Sequence, residues 1–132
     1  MISPAPAKAV TIDLLTNRVI GCAIAVHRQL GPGLLASAYA HCLAHELALG
    51  DLFFERDKVL SVQYKGVQLD CGYRVDFLIE NTLILELKAV ERLSAMDQAQ
   101  VMTYLKLTHL RTGLLINFNV PLLKDGIQRF VN

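Results

Sequence analysis

The sequence predicts an α/β domain on three observations. Apolar residues recur at helical spacing over two segments before any strand signal, and the period then drops to two from Val59 to Val90. A third helical segment separates that block from a last apolar run, "TGLLINF". At 132 residues the chain fits one domain with a real core, expected over 16–132 behind a loose arm at 1–15 that opens "MISPAPAKAV".

Taken in order, Thr16 is placed to N-cap a first helix whose stripe is Val19, Ile20, Ala23, Ile24, His27 and Leu30. "LGPG" (30–33) ends it. Pro32 suits the entry of a second helix carrying Leu35, Ala38, Tyr39, Cys42, Leu43 and Glu46 along one side, and Gly50 stops that helix. "VLSVQY", a Lys65-Gly66 turn, "VQLDCGYRVDFLIE", a break at Asn81-Thr82 and "LILELKAV" then make a three-strand antiparallel meander. Ser94 with Asp97 three places on starts a third helix to about Thr108, with Ala95, Ala99, Met102 and Leu105 expected toward the core. "TGLLINF" is the final strand.

A hydrophobic share of 53% and a mean hydropathy of +0.38 are rich for a chain of this size, so a partner subunit covering apolar surface, a homo-oligomer, is compatible with the composition. The strongest apolar stretch, Val19 to Val26, is far short of the roughly 20 residues that span a bilayer, and the opening lacks the pattern of a secretory signal. No membrane span is expected. Three cysteines, odd in number and without a CxxC pair, argue against a disulfide framework and a zinc site, and fit a reducing cytoplasm. Thirteen basic against twelve acidic residues give +1, which excludes a global positive field and leaves only a local patch from Arg56, Lys58, Lys65, Arg74, Lys106 and Arg111.

The chemistry centres on "ILELKAV" (84–90). On a strand Leu85, Leu87 and Ala89 point one way, while Glu86 and Lys88 share the other face with Ile84. If Glu80, Asn81 and Thr82 form a three-residue loop, Ile79 pairs with Leu83 and Asp76 stands opposite Glu86. A two-residue turn at Asn81-Thr82 would put them out of register. Opposed like charges destabilise a sheet by up to about 1 kcal/mol, and a bound cation reverses that sign. Two carboxylates make half of a Mg²⁺ site, with Lys88 on the same face held partly by those acids and able to serve the attacking water. Ordinary cross-strand ion pairs among Arg74, Asp76, Glu86 and Lys88 on a solvated face are the competing explanation.

Elsewhere, His27 fits a satisfied core histidine, and His41 and His45, four apart without HExxH, fit a half-exposed helix face. Gln100 and Tyr104 share one face of the third helix beside the Glu86-x-Lys88 strand.

The blocks "VHRQLGPGLLASAY" (26–39), "YRVDFLIE" (73–80), "LELKAVE" (85–91), "QAQVMTYL" (98–105) and "GLLINF" (113–118) resemble the GxxExxY family of the PD-(D/E)XK nuclease superfamily. The resemblance implies a restriction-endonuclease-like core with a mixed sheet and a helical crossover before the last strand. It implies Mg²⁺ or Mn²⁺ held by Asp76 and Glu86, with a backbone carbonyl near Leu87, and catalytic roles for Lys88, Gln100 and Tyr104. Nucleic acid is the implied partner. The family motif has a glutamate where this chain has Ala36, so a weakened or inactive nuclease is expected, and the alternative is a nuclease fold that binds nucleic acid or protein without turnover. Glu46 is no substitute, lying about 80° around the helix and roughly 15 Å along it.

Overall fold

The structure, a computed structural model, describes residues 12–132. Helix α1 spans Ile12–Leu30 and α2 spans Ala36–Leu49. The long strands β1 (Phe54–Tyr64) and β2 (Val67–Ile79) follow, then β3 (Leu83–Lys88), helix α3 (Ala95–Thr108), β4 (Thr112–Asn117), a 3-10 turn (Leu123–Gly126) and β5 (Ile127–Val131). The five strands lie in chain order, with β3 and β4 parallel and the other neighbours antiparallel. Parallel neighbours need a crossover connection, and α3 supplies it.

Each face of the sheet has its own apolar cluster. Val19, Ala23 and Val26 of α1 and Tyr39, Leu43 and Leu47 of α2 pack on Phe77, Ile79, Leu83, Leu85, Leu87, Leu114 and Ile116. On the other face Val101, Tyr104 and Leu105 of α3 pack on Leu60, Val75, Ile84 and Leu115. β3 and β4, covered on both sides, are buried almost throughout. The face assignment expected for "ILELKAV" therefore holds, with Leu85 and Leu87 toward α1 and α2 and Ile84 toward α3.

Several local expectations are corrected. Thr16 does not cap α1; it lies a turn inside, buried, and its hydroxyl donates to the Ile12 carbonyl at 2.9 Å, because the helix already includes residues 12–15. The rest of the expected arm, 1–11, lies outside the described residues. Pro32 does not open α2: Gly31 and Gly33 flank it at φ +66° and +102°, a left-handed turn that holds the chain off the helix until Ala36. Leu35 is exposed accordingly. Strand β1 starts at Phe54 rather than Val59. In α3 the capping box of Ser94 and Asp97 is present, but Ala95 and Ala99 face solvent; the bulkier Val101, Tyr104 and Leu105 take the core instead. "TGLLINF" is not the last strand, since β5 closes the sheet edge beyond it.

Candidate metal and active site

The β2–β3 loop has three residues, Glu80, Asn81 and Thr82, and Ile79 pairs with Leu83. Backbone pairing runs through Leu78 with Ile84 and Phe77 with Leu85, and there the ladder stops. One step further the side chains take over. The Asp76 N–H donates to Glu86 Oε2 at 2.8 Å, and the Leu87 N–H donates to Asp76 Oδ2 at 2.8 Å. Each carboxylate thus stands where the opposite strand would offer a carbonyl, and the two acids converge.

The opening has a backbone cause. Phe77 and Ile79 belong to the cluster under α1 and α2, whereas Val75, two residues back, belongs to the α3 cluster. Strict alternation would keep all three on one face. The paired strand makes the same change: Arg56 lies over the Phe77 ring and bonds His41 of α2, while Leu60 packs under α3. Between them Asp57 has φ +52°, and the register skips the Asp57/Asp76 level. Both strands turn over there, which lifts Asp76 out of ordinary pairing and points its carboxyl at β3.

Burial then sets the charge. Glu86 is 5% exposed. Desolvation, followed by the adjacent Asp76 carboxylate, pushes its pKa up to about 9, against small opposing effects of the Asp76 amide and Lys88. Without a cation Glu86 keeps its proton at neutral pH. Tyr104, almost fully buried across from them, is raised by desolvation and by the charges of Glu86 and Asp76, which marks it as a neighbour of the pair. Its ring meets Tyr73 edge-on at 6.1 Å. Gln100, one turn earlier on α3, is half-buried and makes no hydrogen bond to either acid.

Lys88 ends β3 on this face, but its ion pair is not with the acids. Its Nζ lies 3.6 Å from Asp97 Oδ1 in the first turn of α3. The expectation that Asp76 and Glu86 partly hold the lysine is met only through its charge, which acts on Glu86; the ion pair is with Asp97, a site neighbour that sequence reasoning identified only as a helix cap. The Lys88 carbonyl accepts from the Phe118 N–H at 2.9 Å. Beyond it, buried Asn117 clasps the following loop: its Oδ1 accepts from the Val90 N–H at 3.0 Å and its Nδ2 donates to the Val90 carbonyl at 2.9 Å.

The histidines stay apart from this constellation. His27 is buried with Nε2 2.8 Å from the Val120 carbonyl oxygen, His41 bonds Arg56, and His45 is exposed. Tyr39 stacks on Phe118 at 4.5 Å on the α1/α2 side. A cavity of about 490 Å³ lined by Leu14, Arg18, Asp51 and Glu80 contains neither acid. Among the described residues no three His, Cys, Asp or Glu side chains gather round one point. A cation here would have two carboxylates, completed by backbone oxygen and water, the donor set that hard ions such as Mg²⁺ and Mn²⁺ take. A carboxyl kept neutral first by burial and then by its like-charged neighbour fits such an ion. No helix of the described residues is long and apolar enough to cross a membrane.

No curated protein and no solved structure matches the chain. A family model described as the PD-(D/E)XK nuclease superfamily matches residues 13–130, a span that holds both acids, Lys88, α3 and the whole sheet up to Phe130. The chain therefore belongs to the PD-(D/E)XK nuclease superfamily.

Proposed function

We propose that this domain is a divalent-metal-dependent phosphodiesterase of nucleic acid, with Asp76 and Glu86 holding Mg²⁺ or Mn²⁺. The convergence of these two carboxylates where the β2–β3 ladder opens carries the reading. The ion would supply Lewis acidity toward a phosphate oxygen and a more acidic water. Asp76 and Glu86 orient it, and Glu86 gives up its proton on binding. Lys88 is close enough to act on Glu86 electrostatically and serves the water or the phosphate charge. Tyr104 walls the acids from α3, and Gln100 on the same helix is assigned to contact the substrate or its water.

Ala36 limits the activity. It is the first residue of α2, and the loop before it is tied to the C-terminal end of β4 by the Gly33 N–H donating to Asn119 Oδ1 at 3.1 Å. That end adjoins Lys88, which pairs in register with Asn117. A carboxylate at position 36 would add a third negative group to the two acids near that end of the sheet.

Mg²⁺- and Mn²⁺-dependent cleavage of single- and double-stranded DNA and RNA, by this chain and by Ala36→Glu side by side, tests the reading. Metal-dependent cleavage that Glu86→Gln abolishes supports it. Binding of nucleic acid with no cleavage by either form would favour the second reading, a nuclease fold used as a binding module, which the absent acid at Ala36 supports.

A further inference from the structure

Lys88 and Glu86 share a sheet face two residues apart, so the ammonium starts from the side of the strand that carries the acid pair. It is nevertheless drawn to α3, 3.6 Å from Asp97 Oδ1, with 31% of the lysine side chain and 23% of the aspartate side chain exposed. Asp97 is anchored independently of Lys88. Its Oδ2 accepts from the Ser94 N–H at 3.0 Å, and its own N–H donates to Ser94 Oγ at 3.0 Å. One oxygen of the carboxylate closes the capping box and the other is left for the lysine. Val101 and Leu105 lock α3 onto Ile84 and Leu115, so the carboxylate is presented at a set place beside the end of β3.

We infer that Asp97 is a positioning residue: it holds the Lys88 charge at the head of α3 and thereby leaves the Asp76–Glu86 pair available to a divalent cation. The inference rests on the metal reading above. A lysine ammonium and a divalent ion are both drawn to the Asp76 charge and to the ionised form of Glu86, and in a partly buried cleft that competition is only weakly screened. Without the Asp97 charge, Lys88 is left with the acid pair, whose Glu86 already feels its charge. The device is an added carboxylate that binds no metal but decides where the lysine rests.

Asp97→Asn separates charge from capping, because the amide oxygen still accepts from the Ser94 N–H. Metal-free protein is titrated with Mn²⁺ by calorimetry for the unaltered chain, Asp97→Asn, Asp97→Glu and the double variant Asp97→Asn/Lys88→Met, with melting by circular dichroism to show that α3 stays folded. Asp97→Asn is expected to weaken Mn²⁺ binding by about threefold or more. Asp97→Glu, which suits the third position of a capping box, keeps the affinity within about twofold. The double variant regains or exceeds the original affinity, since the competing ammonium is gone. If Asp97→Asn binds as tightly as the unaltered chain, or if its loss persists after Lys88→Met, Asp97 does not act through Lys88 and this inference alone falls. If the unaltered chain takes up no Mn²⁺, the metal reading fails and takes the inference with it.

Discussion

Asp76 and Glu86 hold each other's strands: the amide of Asp76 donates to the Glu86 carboxyl, and the amide following Glu86 donates to the Asp76 carboxyl, both at 2.8 Å. Two acids do here what two peptide groups do elsewhere in the sheet. The arrangement satisfies the backbone and leaves a buried carboxyl beside a carboxylate, an imbalance from which stability and ion binding can both be read.

Glu86 carries a stability cost that grows with pH. In the unfolded chain it ionises near 4.5, whereas in the fold it holds its proton up to about 9. Between those values the unfolded state binds fewer protons, so stability falls as pH rises. Glu86→Gln mimics the neutral form and keeps an acceptor for the Asp76 N–H. Urea unfolding in chelator should find the variant more stable by about 1–3 kcal/mol at pH 8 and nearly equal at pH 4. A variant less stable than the parent at pH 8 would show that Glu86 is ionised in the metal-free fold.

Ala36→Glu should strengthen Mg²⁺ and Mn²⁺ binding and raise cleavage without harming the fold. An acid in the first turn of α2 suits the helix dipole by a few tenths of a kcal/mol, roughly offsetting the loss of alanine's helix propensity. Calorimetric titration of both forms decides, and equal affinities would show that position 36 never belonged to the ion's surroundings.

Lys88→Ala, made together with Ala36→Glu, should lower cleavage by about 10²-fold or more while moving the melting temperature little. Its ion pair with Asp97 is partly exposed, and such pairs are worth about 0–1 kcal/mol. Full cleavage by the variant would remove the lysine from the reaction.

Asn117→Ala should be the costliest of these changes to the fold. The side chain is 3% exposed and serves the Val90 N–H, the Val90 carbonyl and the Asn119 N–H. Its loss orphans both polar groups of Val90, a cost of about 2–4 kcal/mol in urea unfolding. A change under about 0.5 kcal/mol would mean that water replaces the amide without loss.

Much of the sheet was legible because strand faces and hairpin register are local matters. The three residues Glu80, Asn81 and Thr82 set the parity of the β2–β3 pairing, and parity brought Asp76 to the level of Glu86. The Ser94–Asp97 box was legible for the same reason, both partners lying within one turn. The first turn of α1 was not, since a threonine that can cap can equally bond the carbonyl four residues back, as Thr16 does. The α3 stripe was misjudged because alanine fits a buried or an exposed face, and packing against Ile84 and Leu115 selected Val101 and Leu105.

The sequence by itself determined that two acids meet near the end of a short buried strand, because pairing parity follows from loop length and alternation. Only the tertiary structure decided what surrounds them. The turnover of β1 and β2 at Asp57 and Asp76 depends on two strands changing faces together to feed two separate cores, and no residue pattern within one strand records it. The partner of Lys88 was likewise a matter of assembly: the crossover sets the head of α3 beside the end of β3, so a carboxylate nine residues further along the chain, not the acid two residues away, pairs with the lysine. Charge acts through space, and only the fold sets those distances.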